Sequence, residues 1–447
     1  MKRLKYKLKN VNLKLVIFFV FCCVFCFCYS NFLFVVDNDE IWNYGFSYNI
    51  SQGMVIYRDF NALQTPLYFF IGSFFVKIFG NYLFSLHILD AIIVGIMMLF
   101  FFKRIGWKSL WILLVMVIFL VPSYNLLSLF LLILIILLID SKKDKDFYIG
   151  IIVGLSFLTK QNIGVLLFVP FAFYSKNKIK AFLYFLLPIF IFLVYLLINN
   201  AMFDFVNCCF LGLFDFNDKN MYIDNLILFY EFIVVCYLGY KFVKSKFKDK
   251  TLCYILIFQL FLYPIVNLQH FLVAFVPVIV YIFMYEKNNF ITKFVIPLVI
   301  LFYFCLYTAS YYVGLNLNLD NNFLYLRNTK ISEYLSSEVE IILEYSKDFN
   351  YEFFIVDNAY MRKFFLDIPI GRYDFLLNGN MGYQGGEGGR KFVNEIDSIC
   401  SKNSCVFFVD EGIKNSRYGQ FNKEIYNYVV NNYKKCIEHE YLSVFTN

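Results

Sequence analysis

The stretch from Val36 to Leu67, VDNDEIWNYGFSYNISQGMVIYRDFNALQTPL, is a carboxylate-bearing polar loop set between two apolar runs, and its placement decides how the rest of the chain is read. Ahead of it, MKRLKYKLKN leads into an apolar run that begins at Leu13 and continues to Val36. That run is long and lacks a small-x-small cleavage site, so it reads as an uncleaved first span rather than a signal peptide. The basic residues before it hold the N-terminus in the cytoplasm by the positive-inside rule, which brings Asp37 out on the outer face. After the loop, Pro66 to Phe79 supplies only 14 apolar residues. A helix of that length is about 21 Å long, short of the roughly 30 Å hydrocarbon core, so it reads as a helix lying in or dipping into the outer interface.

Composition agrees with this opening. In 447 residues, 60% are hydrophobic and only 16% charged, a balance that excludes an ordinary soluble globular protein. The net charge of +7 comes largely from Lys and Arg clusters beside apolar runs. Such clusters are a topology signal, and they assign no nucleic-acid role.

With Pro66–Phe79 kept at the interface, further spans follow at Leu83–Phe102, Leu110–Val121, Leu126–Ile139, Phe147–Leu158, Ile163–Tyr174, Ala181–Ile198, Leu226–Tyr240, Leu252–Val266, Phe271–Tyr285 and Phe294–Tyr312. Every basic cluster then falls inside. The expected fold class is a polytopic α-helical membrane protein with about eleven transmembrane helices and a small C-terminal extracytoplasmic α/β domain. Residues 1–313 form the transmembrane domain, including a first outer loop at 37–82 with interfacial helices, and residues 314–447 form the soluble domain.

In that tail, ISEYLSSEVEIILEY (331–345) has helical spacing, Phe353–Val356 and Val406–Val409 read as strands, Lys423–Lys435 as a helix, and Tyr441–Phe445 as a final strand. Strands alternating with helices suggest an α/β domain. The glycine-rich NGNMGYQGGEGGR (378–390) lacks the strand-to-helix setting of a phosphate loop; it reads as a surface loop, with a lid over the membrane site as the functional alternative. Cys400 and Cys405 can close a small disulfide if the tail faces an oxidising compartment.

Within the first loop, Ile41, Tyr44 and Tyr48 share one helical face and Gly53 can end the helix. Asp37 as N-cap with Glu40 three residues on is also a capping box, so the spacing alone serves structure and chemistry equally. Farther on, Lys160 in LTKQNIG lies between two apolar runs; it can meet a lipid headgroup or simply snorkel to the interface. His87 and Asp90, three residues apart, can pair on one helix face.

The layout Asp39-Glu40, helix, Gly53, Tyr57, Asp59 and Pro66-Leu67-Tyr68, ahead of a span ending in Lys103-Arg104, resembles the C-type glycosyltransferase (GT-C) superfamily. It resembles most the branch with the protein O-mannosyltransferases and the lipid A aminoarabinose transferases. The similarity covers residues 15 to 175 and, more weakly, QHFLVAFVP (269–277). The chain departs from the pattern at Thr65-Pro66, where relatives often carry two prolines, and at His87, where they often carry Arg.

The resemblance implies a multi-pass enzyme of the inner or plasma membrane that takes a sugar from a polyprenyl-phosphate donor and passes it, with inversion, to a glycan, lipid or protein acceptor on the outer face. It implies Asp39 as base, with Glu40 and Asp59 as further acids, and Arg58, Tyr57, Lys160, Gln161 and His270 toward the lipid phosphate or the acceptor. No cofactor is expected, and no metal is assigned: Asp39, Glu40 and Asp59 do not have a known cation-ligand spacing. The rival readings are a transporter or flippase of lipid-linked glycans and a non-catalytic glycan-assembly subunit. No internal repeat of the transporter kind is visible.

Overall fold

The structure, a computed structural model, describes residues 13–32, 38–118, 123–139, 145–215, 222–263, 265–285, 333–355, 369–372, 374, 383, 389–410, 419–438 and 442–447. Helix α1 (Leu13–Phe32) is apolar on all sides, as a lipid-facing span must be. Helix α2 (Asn38–Ser51) occupies the first loop and stops where Gly53, at φ +90°, takes a backbone conformation that side chains resist. Helix α3 (Leu67–Phe79) starts directly after Pro66, whose carbonyl accepts the Phe70 N–H at 3.0 Å.

The apolar interval Phe84–Val117 runs for 34 residues, about 50 Å of helix if continuous, which is too long for one crossing. Gly106, at φ +61°, divides it into α4 (Phe84–Ile105) and α5 (Ser109–Ile118), with Lys103, Arg104 and Lys108 at the break. The two spans read from sequence are therefore separate elements. Next come α6 (Tyr124–Ile139), α7 (Asp146–Thr159), α8 (Gln161–Tyr174), α9 (Lys178–Ile198) and a short α10 (Met202–Val206) that widens into a π turn at Asn207–Leu211.

Helix α11 (Asn225–Lys244) is capped by Asp224, whose carboxylate accepts from Leu226 N at 2.9 Å and Ile227 N at 3.2 Å. Asp249 does the same for α12 (Lys250–Phe258), and α13 is Leu268–Tyr285. Among the described residues, five stretches are long and apolar enough to cross a membrane, and five shorter apolar helices accompany them. The chain is a multi-pass membrane protein. The span expected at Phe294–Tyr312 lies outside the described residues.

Contacts divide the chain into two compact units. The first comprises Met1–Asp37, Ile78–Ile189 and Ile223–Leu326; the second comprises Asn38–Lys77, Phe190–Tyr222 and Arg327–Asn447. In the first unit, glycines let helices approach closely, the usual membrane solution where no hydrophobic driving force separates helix from lipid. A Cβ on Gly164 would collide with the Phe157 backbone across the α7–α8 turn, and one on Gly154 would meet Phe185 O and Pro188 of α9. His87 and Asp90 are both buried in α4, and His87 Nδ1 hydrogen-bonds Asn31 Oδ1 of α1 at 2.7 Å. Here the histidine ties two spans together.

The second unit ends in an α/β layer: α14 (Glu333–Ser346), β1 (Tyr351–Ile355), α15 (Arg390–Cys400), β2 (Cys405–Asp410), α16 (Gly419–Asn432), β3 (Lys434–Glu438) and β4 (Leu442–Thr446). Sheet order is β1-β2-β4-β3, with β1 parallel to β2 in the register Phe353↔Phe407, and the other neighbours antiparallel. Alternate side chains separate onto two faces. Phe353, Phe407, Val409 and Phe445 pack with Phe392, Ile396 and Val429 of α15 and α16, whereas Phe354, Phe408 and Val444 pack with Ile342 of α14. A strand covered on both sides reads as a continuous apolar run, which is why FFI and CVFFV stand out in the sequence.

Two features differ from the sequence reading. The last helix ends at Asn432, and the residues after it, KKCIE, turn back as β3 against β4. Helix α15 begins directly after the glycine-rich stretch, most of which lies outside the described residues. Cys400 and Cys405 form a disulfide between the end of α15 and the start of β2.

Candidate functional site

The chemistry-bearing residues fall in two places, one in each unit. In the second unit, α2 carries Asp39 and Glu40 in its first turn. Asp39 is described by its backbone alone, and the Glu40 side chain is buried. Beyond Gly53 the chain makes a tight turn in which Tyr57 N donates to Phe60 O at 2.8 Å and Tyr57 adopts φ +69°. That conformation costs a β-carbon-bearing residue free energy, and burial of the ring offsets it. Tyr57 is fully buried: its hydroxyl donates to Gln64 O at 2.6 Å, its ring packs edge-on to Phe205 at 5.1 Å, and Cys209 Sγ sits 3.4 Å from its oxygen. Burial pushes the Tyr57 phenol up from its ordinary range. In this arrangement Tyr57 anchors the turn from inside.

Arg58 and Asp59 project from the same turn as a two-point ion pair, Nε to Oδ1 at 2.7 Å and Nη2 to Oδ2 at 2.9 Å. Asp59 also accepts the Val55 N–H at 2.7 Å. The Arg58 hydrogen bonds, helped by that amide, hold the Asp59 carboxyl below the usual carboxylate range. A carboxylate so stabilised is a weak base, which suits Asp59 to orienting Arg58 more than to taking a proton.

The C-terminal part of the second unit meets this loop. Asn49 of α2 donates from Nδ2 to Ile370 O at 2.6 Å and accepts Ile370 N–H on Oδ1 at 3.1 Å. Asn61 Nδ2 reaches Arg372 O at 3.4 Å. The Arg372 guanidinium pairs with Asp204 of α10 at 3.1 Å and lies 3.8 Å from Glu395 of α15. Asn207 of the π turn accepts the Tyr383 N–H at 3.1 Å.

In the first unit, the chain breaks between α7 and α8 at Lys160, whose extended backbone (φ −154°, ψ 110°) is at once the end of one helix and the start of the next. Its ammonium donates to Asn125 Oδ1 at 3.2 Å and lies over the Phe261 ring at 4.1 Å and the Tyr124 ring at 5.4 Å. Gln161 is buried beside it in the chain.

His270 stands 5.4 Å from the same Phe261 ring. Its backbone N and its Nδ1 both reach Asn267 Oδ1, at 2.9 and 2.8 Å. An amide oxygen only accepts, so with Asn267 in this orientation Nδ1 carries the proton and Nε2 is left an acceptor. The structure thus brings Lys160 and His270 together around Phe261, and Tyr57, Arg58 and Asp59 together in one turn.

Sequence reading had named none of Asn49, Asn61, Asn125, Asp204, Phe261 or Arg372. Most of their contacts join residues far apart in the chain, where spacing carries no signal. Asn125, in the SYNLL entry to α6, was the one polar residue placed suggestively at a span end. No group of three or more His, Cys, Asp or Glu able to hold a metal occurs among the described residues.

The architecture is that of a polytopic α-helical membrane protein with a C-terminal α/β layer. The particular structures it resembles are those of ArnT from Cupriavidus metallidurans. The form bound to undecaprenyl phosphate superposes with a TM-score of 0.53 at 9% identity, over 98% of this chain and 98% of that one. The apo form gives 0.51 at 10% identity, over 96% and 97%. At these identities the likeness is one of fold. No family model matches the sequence, and no curated protein matches it.

Proposed function

We propose that this chain is a membrane glycosyltransferase that moves a sugar from a polyprenyl-phosphate donor to a glycan, lipid or protein acceptor on the outer face of the inner or plasma membrane. The observation that carries this reading is the shared fold, end to end, with an ArnT structure that holds undecaprenyl phosphate. The first-loop motif and the aromatic-flanked Lys160 support it independently of that fold.

The reaction is an inverting displacement. The acceptor hydroxyl gives its proton to the Asp39 carboxylate while its oxygen bonds to the anomeric carbon. The bond from that carbon to the phosphate oxygen breaks, and the lipid phosphate leaves with the electron pair. Lys160, whose ammonium lies over aromatic rings, and Arg58, aligned by Asp59, are each candidates to neutralise charge on that phosphate. Glu40 and Gln161 are assigned to orienting substrate groups. Tyr57 holds the turn in shape, and His270, beside Phe261, is a further candidate toward the lipid phosphate or acceptor.

The disulfide between Cys400 and Cys405 supports an oxidising surrounding for the tail, in agreement with the outer-face assignment from Lys and Arg clusters. The deciding experiment is Asp39→Asn in the full-length protein, assayed for sugar transfer from undecaprenyl-phosphate-linked sugars. Transfer falls by about 10³-fold while the protein stays at wild-type level in the membrane. Near-normal transfer would remove Asp39 from the role of base, and a wild-type protein that moves the whole lipid-linked sugar across vesicles without cleaving it would make this a flippase.

A further inference from the structure

Resting on the glycosyltransferase reading, we infer that Gly45 and Asn49 are positioning residues through which the C-terminal segment around Ile370 sets the helix that carries Asp39 and Glu40. Three observations within the second unit converge on it. The Asn49 carboxamide takes both main-chain groups of Ile370, as a neighbouring strand would, and Asn49 and Ile370 are both buried. One turn earlier on α2, the absence of a side chain at Gly45 admits the Ile370 side chain, because a Cβ there would collide with Ile370 Cδ1. The segment itself is locally braced, since Gly371 N donates to Asp374 Oδ2 and Asn61 reaches Arg372 O.

A residue on the opposite side of a helix from nothing else would be a packing detail, but this contact lies on the element that bears the candidate base. Gly45 is six residues from Asp39, about 9 Å along the helix axis, and Asn49 ten residues, about 15 Å. A hydrogen-bonded helix of that length shifts as a body. A Cβ at Gly45 meets the far end of the buried Ile370 side chain, which must turn or push α2 aside; a displaced α2 carries its first turn with it, and misplacement of about 1 Å is enough to cost roughly 10²-fold in rate. The C-terminal layer, 321 residues away in sequence from Asn49, thereby becomes part of what makes the first loop competent.

The test is a steric suppressor pair in the full-length protein in lipid. Gly45→Ala is expected to lower kcat for sugar transfer about 10²-fold, with KM for undecaprenyl-phosphate-linked sugar and the Kd of undecaprenyl phosphate itself within about twofold of wild type. Ile370→Ala in the same chain removes the colliding methyl and restores kcat to within a few-fold, whereas Ile370→Ala alone changes little.

Asn49→Ala, which introduces no clash, lowers kcat in the same sense and speeds hydrogen exchange in both α2 and residues 369–374. The inference is overturned if Gly45→Ala retains near-normal kcat, if the double variant is no better than Gly45→Ala, or if the loss appears in donor KM. A wild-type protein that transfers no sugar defeats the glycosyltransferase reading instead. In that event unchanged hydrogen exchange of α2 and 369–374 in Asn49→Ala is the result that defeats the positioning contact.

Discussion

The first-loop turn and the Lys160 turn each hold a cation, and they do so in different ways. In the loop, charge meets charge: Arg58 is clasped by the adjacent Asp59, and elsewhere in the same unit Arg372 is held by Asp204 and Glu395. At the α7–α8 break, Lys160 is set against one carboxamide and two aromatic faces. A guanidinium paired with a neighbouring carboxylate is held in a fixed orientation, whereas an ammonium over aromatic faces is drawn to their negative π-surfaces. On the proposed function, Lys160 carries the larger part of the charge compensation and Arg58, held by Asp59, the smaller.

The sharpest way to break that assignment is Lys160→Met. Transfer efficiency is expected to drop by about 10²-fold, mostly through weaker use of the lipid-phosphate donor, and donor titrations in lipid check it. If Arg58→Met costs more than Lys160→Met, the two regions have been given each other's roles.

A smaller effect is expected at Tyr57→Phe. Losing the hydroxyl that donates to Gln64 O should cost about 1 kcal/mol of stability, seen as a lower Tm, with transfer retained. Abolished transfer in a stable Tyr57→Phe protein would move Tyr57 from anchor to substrate binder.

The smallest effect belongs to Asp59. Its folded pKa lies below the ordinary carboxylate value of about 3.9, so its contribution to stability is present above that value and is lost as pH falls through the folded pKa. Asp59→Asn should therefore lower Tm slightly at neutral pH and flatten the acid side of the pH–Tm curve, the two proteins converging as pH falls through the folded Asp59 pKa. An unaltered acid limb would show that the Arg58 pair contributes nothing to folding.

Much of the scaffold was legible because it is written locally. Gly53 ended α2, Pro66 opened α3, and the doubly covered strands FFI and CVFFV announced themselves as apolar runs. The helix expected to Lys435 stops at Asn432, and β3, unassigned beyond Lys435 because KKCIE lacks apolar alternation, is an edge strand exposed along most of its length and formed by its pairing with β4. The candidate site divides the same way. Arg58–Asp59 was visible as neighbours, but the partners of Lys160 and Asn49 come from other elements, 35 and 321 residues away, and only the folded chain brings them in. Tyr57, read from the motif toward the lipid phosphate or acceptor, has a left-handed backbone and a buried ring that its place in the sequence did not announce.

The Cys400–Cys405 bond carries a consequence for the order of events during synthesis. Its partners are five residues apart, the end of α15 and the first residue of β2, so the crosslink closes as soon as that short segment meets an oxidant, before β3 and β4 need exist. A sheet whose parallel β1–β2 pair must wait for a long crossover gains, at the entrance to its central strand, a fixed corner from which the last two strands can zip on.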